Sequence, residues 1–215
     1  MISDFYKFGS RLVTRTVQVD LDLPYKKDNS LKDDWIWLLR GEYAEFDFPI
    51  NAKKVSGQRF DDILDTGFPS LFLVSKRFIA LLEEIGATGW TTYPVIIRTR
   101  KGLENYEYLG FSVVGKCGQI DYIKSTPFEK KAVPNGPLTK YLRGRHIGLD
   151  DWDGSDFFSP QGNLGIVVTK RIADQLKAAK ISNLRLKNLT EIEEPLFGIS
   201  ITTKGEISEK DFEWG

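Results

Sequence analysis

The sequence predicts an α+β fold: an antiparallel or mixed sheet with two main helices and an internally repeated strand–helix–strand unit. Three observations carry that reading. Aromatic residues make up 13% of the chain and stand beside β-branched residues in short runs that suit a pleated, half-buried surface. Two stretches instead place apolar side chains at helical spacing, Phe78-Leu82-Ile85 and Ile172-Leu176-Ala179. Each follows a short apolar run and a hydroxyl residue, so one pattern is written twice.

In chain order, Arg11 to Val19 (RLVTRTVQV) is β-branched and alternates, which predicts a strand. Asp20 to Asp34 is polar, holds Pro24 and predicts a loop. Trp35 to Leu39 (WIWLL) is apolar on both alternating faces, as in a strand covered on both sides, with a buried helical turn as the alternative. Arg40 to Gly67 is mixed. Leu71 to Val74 forms a short strand, and Ser75 can accept an orphan helix N–H as N-cap. The spacing predicts a helix over about Lys76–Ile85, closed by Gly86 in a left-handed conformation.

Gly89 then turns the chain into a strand at Tyr93 to Ile97. Arg100-Lys101-Gly102 is a turn, and Tyr106 to Val114 returns as the partner strand. Prolines and glycines between Lys124 and Gly148 predict an irregular connection. Beyond the segment Asp150 to Phe158 and a turn at Pro160-Gln161-Gly162, Ile166 to Val168 predicts a strand. Thr169 opens a helix over about Lys170–Ala179, and Leu184 to Leu186 follows as a strand. Phe197 to Thr202 predicts one more strand.

Laying Leu73–Tyr93 over Val167–Lys187 needs no gap. Ser75 meets Thr169, Phe78 meets Ile172, Leu82 meets Leu176, and Lys76-Arg77 meets Lys170-Arg171. Gly89 meets Asn183, the two residue types that best tolerate positive φ. Two copies are too few for a solenoid, so a sheet carrying two similar helices is expected.

At 215 residues the chain reads as one α+β domain, 1–215. Its parts are a strand- and loop-rich 1–66, a first unit with its hairpin at 67–123, the connection 124–160, and a second unit with the tail at 161–215. Thirty basic residues balance thirty acidic ones, which gives no general field for nucleic acid or membrane. The single Cys117 excludes an internal disulfide framework. The start MISDF lacks a signal-peptide pattern, and no uninterrupted apolar run exceeds five residues. A cytoplasmic location is expected.

Two constellations could bind. Lys76-Arg77 and Lys170-Arg171 place cations in the first turn of each helix, where cap hydroxyls and free N–H groups could complete an anion site. They also read as solvated surface pairs. The segment DDWDGSDFF gathers Asp150, Asp151, Asp153 and Asp156 around Trp152, Phe157 and Phe158. Carboxylates at this density suit a divalent cation, but with Gly154 in the sixth position of a calcium loop, Leu149 and Pro160 fall where acidic ligands belong. The alternative is a turn in which Phe157 and Phe158 anchor the loop and the aspartates bond local backbone. His146 is the only histidine, and a Cys117–His146 dyad has nothing around it that marks a reactive nucleophile. No cofactor motif is present.

The run LFLVSKRFIALLEE, the IGATGW turn, YPVII, a tyrosine-rich return strand ending near Gln119-Ile120-Asp121, and the later VTKRIADQLK and ISNLRL elements resemble a family of bacterial immunity proteins from polymorphic toxin systems. The resemblance spans about residues 69–190 and leaves the first 65 outside it. It implies a non-catalytic protein that binds and neutralises a cognate toxin. Interfaces of that kind rest on aromatic or Arg anchors within a charge-complementary rim. The candidate partner contacts are therefore Asp151, Trp152, Asp153, Asp156, Phe157, Phe158, Lys76, Arg77, Lys170 and Arg171. The alternatives are a metal-dependent hydrolase using Asp151, Asp153 and Asp156, and an adaptor or ligand-binding module.

Overall fold

The computed structural model describes residues 1–23, 34–44, 46–99, 102, 104–202 and 208–213. The chain begins with β1 (Phe5–Ser10), β2 (Gln18–Leu21), α1 (Asp34–Arg40), β3 (Ile50–Ser56) and β4 (Ile63–Asp65). It continues through β5 (Phe72–Ser75), α2 (Lys76–Glu84), β6 (Trp90–Arg98), β7 (Glu104–Asn105), β8 (Tyr108–Val113) and β9 (Gly115–Asp121). Next come β10 (Thr126–Lys131), β11 (Leu138–Arg143), β12 (His146–Ile147) and β13 (Phe157–Gln161). The last elements are β14 (Ile166–Thr169), α3 (Lys170–Ala178), β15 (Leu184–Asn188), β16 (Glu193–Pro195) and α4 (Leu196–Thr202).

One sheet runs β3-β2-β4-β5-β8-β6-β7, and a parallel pairing of β3 with β6 closes it into a barrel. A second sheet runs β12-β9-β13-β14-β1-β15 and stays open at β15. A small third sheet runs β10-β11-β16. The architecture is α+β with mixed pairing, as the sequence predicts.

The duplicated unit is present and is larger than the aligned sequence shows. At the offset that sets Leu73 on Val167, β5–α2 and β14–α3 have the same boundaries and β6 and β15 the same start, although β6 runs on to Arg98 and β15 stops at Asn188. The same offset carries β4 onto β13: Ile63 pairs with Val74 as Phe157 pairs with Val168. A fourth strand completes each unit but comes from different parts of the chain. β8 lies between β5 and β6, and β1 lies between β14 and β15 in matching register. Phe111 and Phe8 are therefore equivalent, and their rings meet across the shared core at 6.1 Å between centroids. Swapping in a distant N-terminal strand hides this equivalence from any linear alignment.

Ser75 accepts from Phe78 N and caps α2. Thr169 occupies the N-cap position of α3, but its hydroxyl caps no helix N–H and donates to Asp156 instead. Gly86 and Gly89 hold φ of 60° and 82°, and Asn183 holds 58°.

Four sequence expectations differ from the structure. The strand expected over Arg11 to Val19 is interrupted at Leu12, which has φ 53° and is exposed; Thr16 makes an isolated bridge to Arg59, and a strand forms only from Gln18. WIWLL lies in helix α1, with the adjacent Leu38 and Leu39 both buried, because so short an apolar run carries no usable period. The connection at 124–148 contains the hairpin β10–β11. Its Pro127 is tolerated because β10 is an edge strand. Phe197–Thr202 belongs to helix α4, where Leu196 and Ile199 are buried at helical spacing. Of the predicted loop 20–34, residues 24–33 lie outside the described residues, as do Arg100 and Lys101 of the expected turn.

Candidate functional site

The duplicated units lock together through two aspartates. Asp62 accepts from Ser75 Oγ at 2.8 Å, from Arg77 Nη1 at 2.6 Å, and from Ser182 N and Oγ at 2.8 and 2.9 Å. Its equivalent Asp156 accepts from Thr169 Oγ1 at 2.8 Å, from Arg171 Nη2, and from Thr88 N and Oγ1 at 3.1 and 3.2 Å. Ser182 and Thr88 occupy equivalent places, each reaching across from the other unit. The arginines cross as well: Arg77 Nη2 donates to the Ala179 carbonyl at the end of α3, and Arg171 Nη1 to the Ile85 carbonyl at the end of α2. A cation on a helix C-terminus is electrostatically favourable. Burial alone would raise the Asp62 pKa. Hydrogen bonds from Ser182 and Ser75 and the Arg77 charge outweigh it and hold the carboxyl below its ordinary value.

The Lys-Arg corners thus point their guanidinium groups at internal carboxylates and carbonyls. Their amines are exposed and paired, Lys76 with Glu107 and Lys170 with Asp174. The anion each corner holds is the chain's own aspartate.

The segment around Asp153 follows the turn-and-anchor geometry. Phe157 and Phe158 are fully buried, so neither side chain offers surface to a partner. Trp152 is half-buried; its indole N–H donates to Ser155 O, and its ring meets Phe5 edge-on at 5.4 Å. Asp153 accepts from Lys116 N at 2.9 Å and from Ser155 N at 3.0 Å. Burial opposes the charge on Asp153, but the bonds from Ser155 and Lys116 lower its pKa. Asp156 belongs to the inter-unit lock and is buried. What remains on the surface is the tip: Asp150, Asp151 and the edge of Asp153.

Among the described residues no group of three or more His, Cys, Asp or Glu side chains is arranged to hold a metal. Asp153 and Asp156 spend their oxygens on internal donors, which leaves the hydrolase reading without a ligand set. Cys117 is buried, and burial first, then Asp153 and Asp151, push its thiol up to about 11. It stays protonated at neutral pH. His146 sits opposite Asp121 on β12, four positions along β9 from Cys117 and so roughly 13 Å away, which separates the two halves of the conceivable dyad.

The sequence reading missed a groove of about 730 Å³ between the barrel and the open sheet. Lys7 on β1 and Arg185 and Lys187 on β15 line one wall, and Val55, Phe68 and Pro69 stand on the other. In the first unit the equivalent face is covered. Tyr93, the counterpart of Lys187, lies fully buried across Gly110, the counterpart of Lys7. Ser112 donates to the Leu38 carbonyl of α1 and accepts from Tyr43. Strand alternation in RLK and YKF could have flagged three cations on one sheet face, but their register across β1 and β15 is visible only in the fold.

Fold and surface together define a duplicated α+β protein with a locked pair of units and one open face that carries Lys7, Arg185 and Lys187. The Imm11 immunity protein family matches residues 14–191, most of the chain, and the chain belongs to that family. The match reaches well into the N-terminal part that the sequence resemblance left outside. No curated protein gives a significant match.

Proposed function

We propose that this protein binds a cognate toxin and neutralises it stoichiometrically, without catalysis. The observation that carries this reading is membership of an immunity protein family over residues 14–191. The test is calorimetric titration of the full chain with the toxin domain encoded beside its gene, alongside an assay of that toxin's activity. The expected result is a one-to-one complex that abolishes toxin activity. A chain that protects without forming a complex, or fails to bind, would sink the reading. Within the acidic-aromatic segment, Asp151 and Asp153 are the contacts a partner can reach, with Trp152 behind them. Asp151→Ala is expected to weaken toxin binding and leave the fold intact, because among the described residues its carboxylate has no internal hydrogen bond to lose.

A further inference from the structure

We infer that the groove between barrel and open sheet docks an acidic, partly apolar segment of the partner toxin; the inference rests on the immunity reading above. Lys7 and Lys187 are direct cross-strand neighbours, and Arg185 lies on the same face two residues from Lys187. Like charges directly opposite each other in a sheet are destabilising. Among the described residues none of the three side chains makes a direct ion pair or hydrogen bond, although the Glu194 carboxylate lies near enough to act on Lys7. Partial burial first, then Arg145, lower the Lys7 pKa; the Glu194 carboxylate raises it, and Arg185 and Lys187 lower it further.

Arg145 lies behind the groove wall and is not part of its lining. It is 3% exposed, its Nη2 donates to Glu194 on the groove wall, and its Nε and Nη1 have no partner among the described residues. Buried donors left unmade are costly and rare. Of the carboxylates that line the groove, Glu193 is paired with Lys130 and Arg143 and Glu194 with Arg145, while Asp65 accepts from the Ser10 hydroxyl and keeps its charge. Asp20, on the opposite wall, makes no side-chain ion pair or hydrogen bond among the described residues. Charge on a terminal strand also blocks unwanted edge pairing. That accounts for Arg185 and Lys187 but not for Lys7 on the inner strand. The apolar wall, with Val55 half-exposed, fits the non-polar side chains of the same segment.

The test titrates the toxin domain encoded next door into the wild type, Lys187→Glu, Arg185→Glu and Lys131→Glu. The last reverses an exposed charge on β10, outside the groove, with the same change in net charge. Each groove variant is expected to weaken binding at least tenfold, while Lys131→Glu binds as the wild type does. Lys187→Glu is also expected to melt higher than the wild type, since the introduced carboxylate would face Lys7, so a loss of binding cannot be ascribed to unfolding. Wild-type affinity in Lys187→Glu, or an equal loss in Lys131→Glu, overturns the groove assignment and leaves the immunity reading standing. No binding by the wild type overturns both. A wild-type dimer that Lys187→Glu dissociates would give the groove to a second copy and overturn the toxin assignment.

Discussion

At the cross-strand position where the first unit sets Tyr93 against Gly110, the second sets Lys187 against Lys7. The backbone register is the same and the chemistry opposite. Tyr93 fills the space above Gly110 and packs against Tyr43 and Phe48, with ring centroids at 5.6 and 5.9 Å. In the second unit no barrel closes over the strands, and paired cations face the groove. The inner face is conservative in both: Phe8 and Phe111, Phe78 and Ile172, Leu82 and Leu176 all lie in one core. The scaffold's stability therefore resides in the shared inner face and the two aspartate locks, and the outer face is free to differ.

The locks give the strongest test of equivalence. Asp62→Ala and Asp156→Ala each strand a half-exposed arginine and two hydroxyl groups at the seam between the units. Each is expected to lose about 2–3 kcal/mol in urea unfolding. Near-equal losses uphold the pairing, and one neutral variant would break it. The Asp62 carboxyl has a folded pKa below its unfolded value of about 3.9, so its stabilisation is present above that pH and is lost as pH falls through the folded value. Unfolding free energy should decline below about pH 4, and Asp62→Asn should be less stable at neutral pH with a shallower acid decline.

A smaller effect separates the covered face from the open one. A Cβ at Gly110 would meet the Tyr93 ring at 2.0 Å, and that ring is buried too tightly to swing away freely. Gly110→Ala is expected to destabilise by about 1–3 kcal/mol, in the range of core overpacking, with an altered near-ultraviolet dichroism of the tyrosines. A neutral result would mean the covered face is looser than Tyr93 packing indicates.

How much of this was legible in the sequence follows from what each feature depends on. The two helices, the Ser75 cap and the positive-φ positions at Gly86, Gly89 and Asn183 are local, and they read off correctly. The inter-unit locks were half legible. Arg77 and Arg171 stood out, but Asp62 and Asp156 lie upstream of the aligned block, and their partners Ser182 and Thr88 come from the opposite unit. The helix α1 was ambiguous because five apolar residues cannot distinguish a period of two from one of 3.6. The groove was invisible because Lys7 and Lys187 sit at opposite ends of the chain, and only the antiparallel register of β1 with β15 brings them together.

The smallest expected effect bears on whether that register carries strain. Lys7→Gln keeps the side chain's stem and removes its charge. If Lys7 and Lys187 repel across β1 and β15, the variant should be more stable than the wild type by about 0.2–1 kcal/mol at low salt. The gain should shrink as salt is added, because the Debye length is already down to about 10 Å at 0.1 M. The counterpart of Lys7 in the first unit is Gly110, which has no charge to remove, so the salt-dependent part of the gain belongs to the open face alone. Chemical denaturation of both proteins at several salt concentrations would show it. A variant less stable than the wild type at every ionic strength would mean that the lysine stem's packing outweighs the repulsion. The cationic pair would then be an ordinary solvated pair, with no strain held there for an acidic partner to relieve.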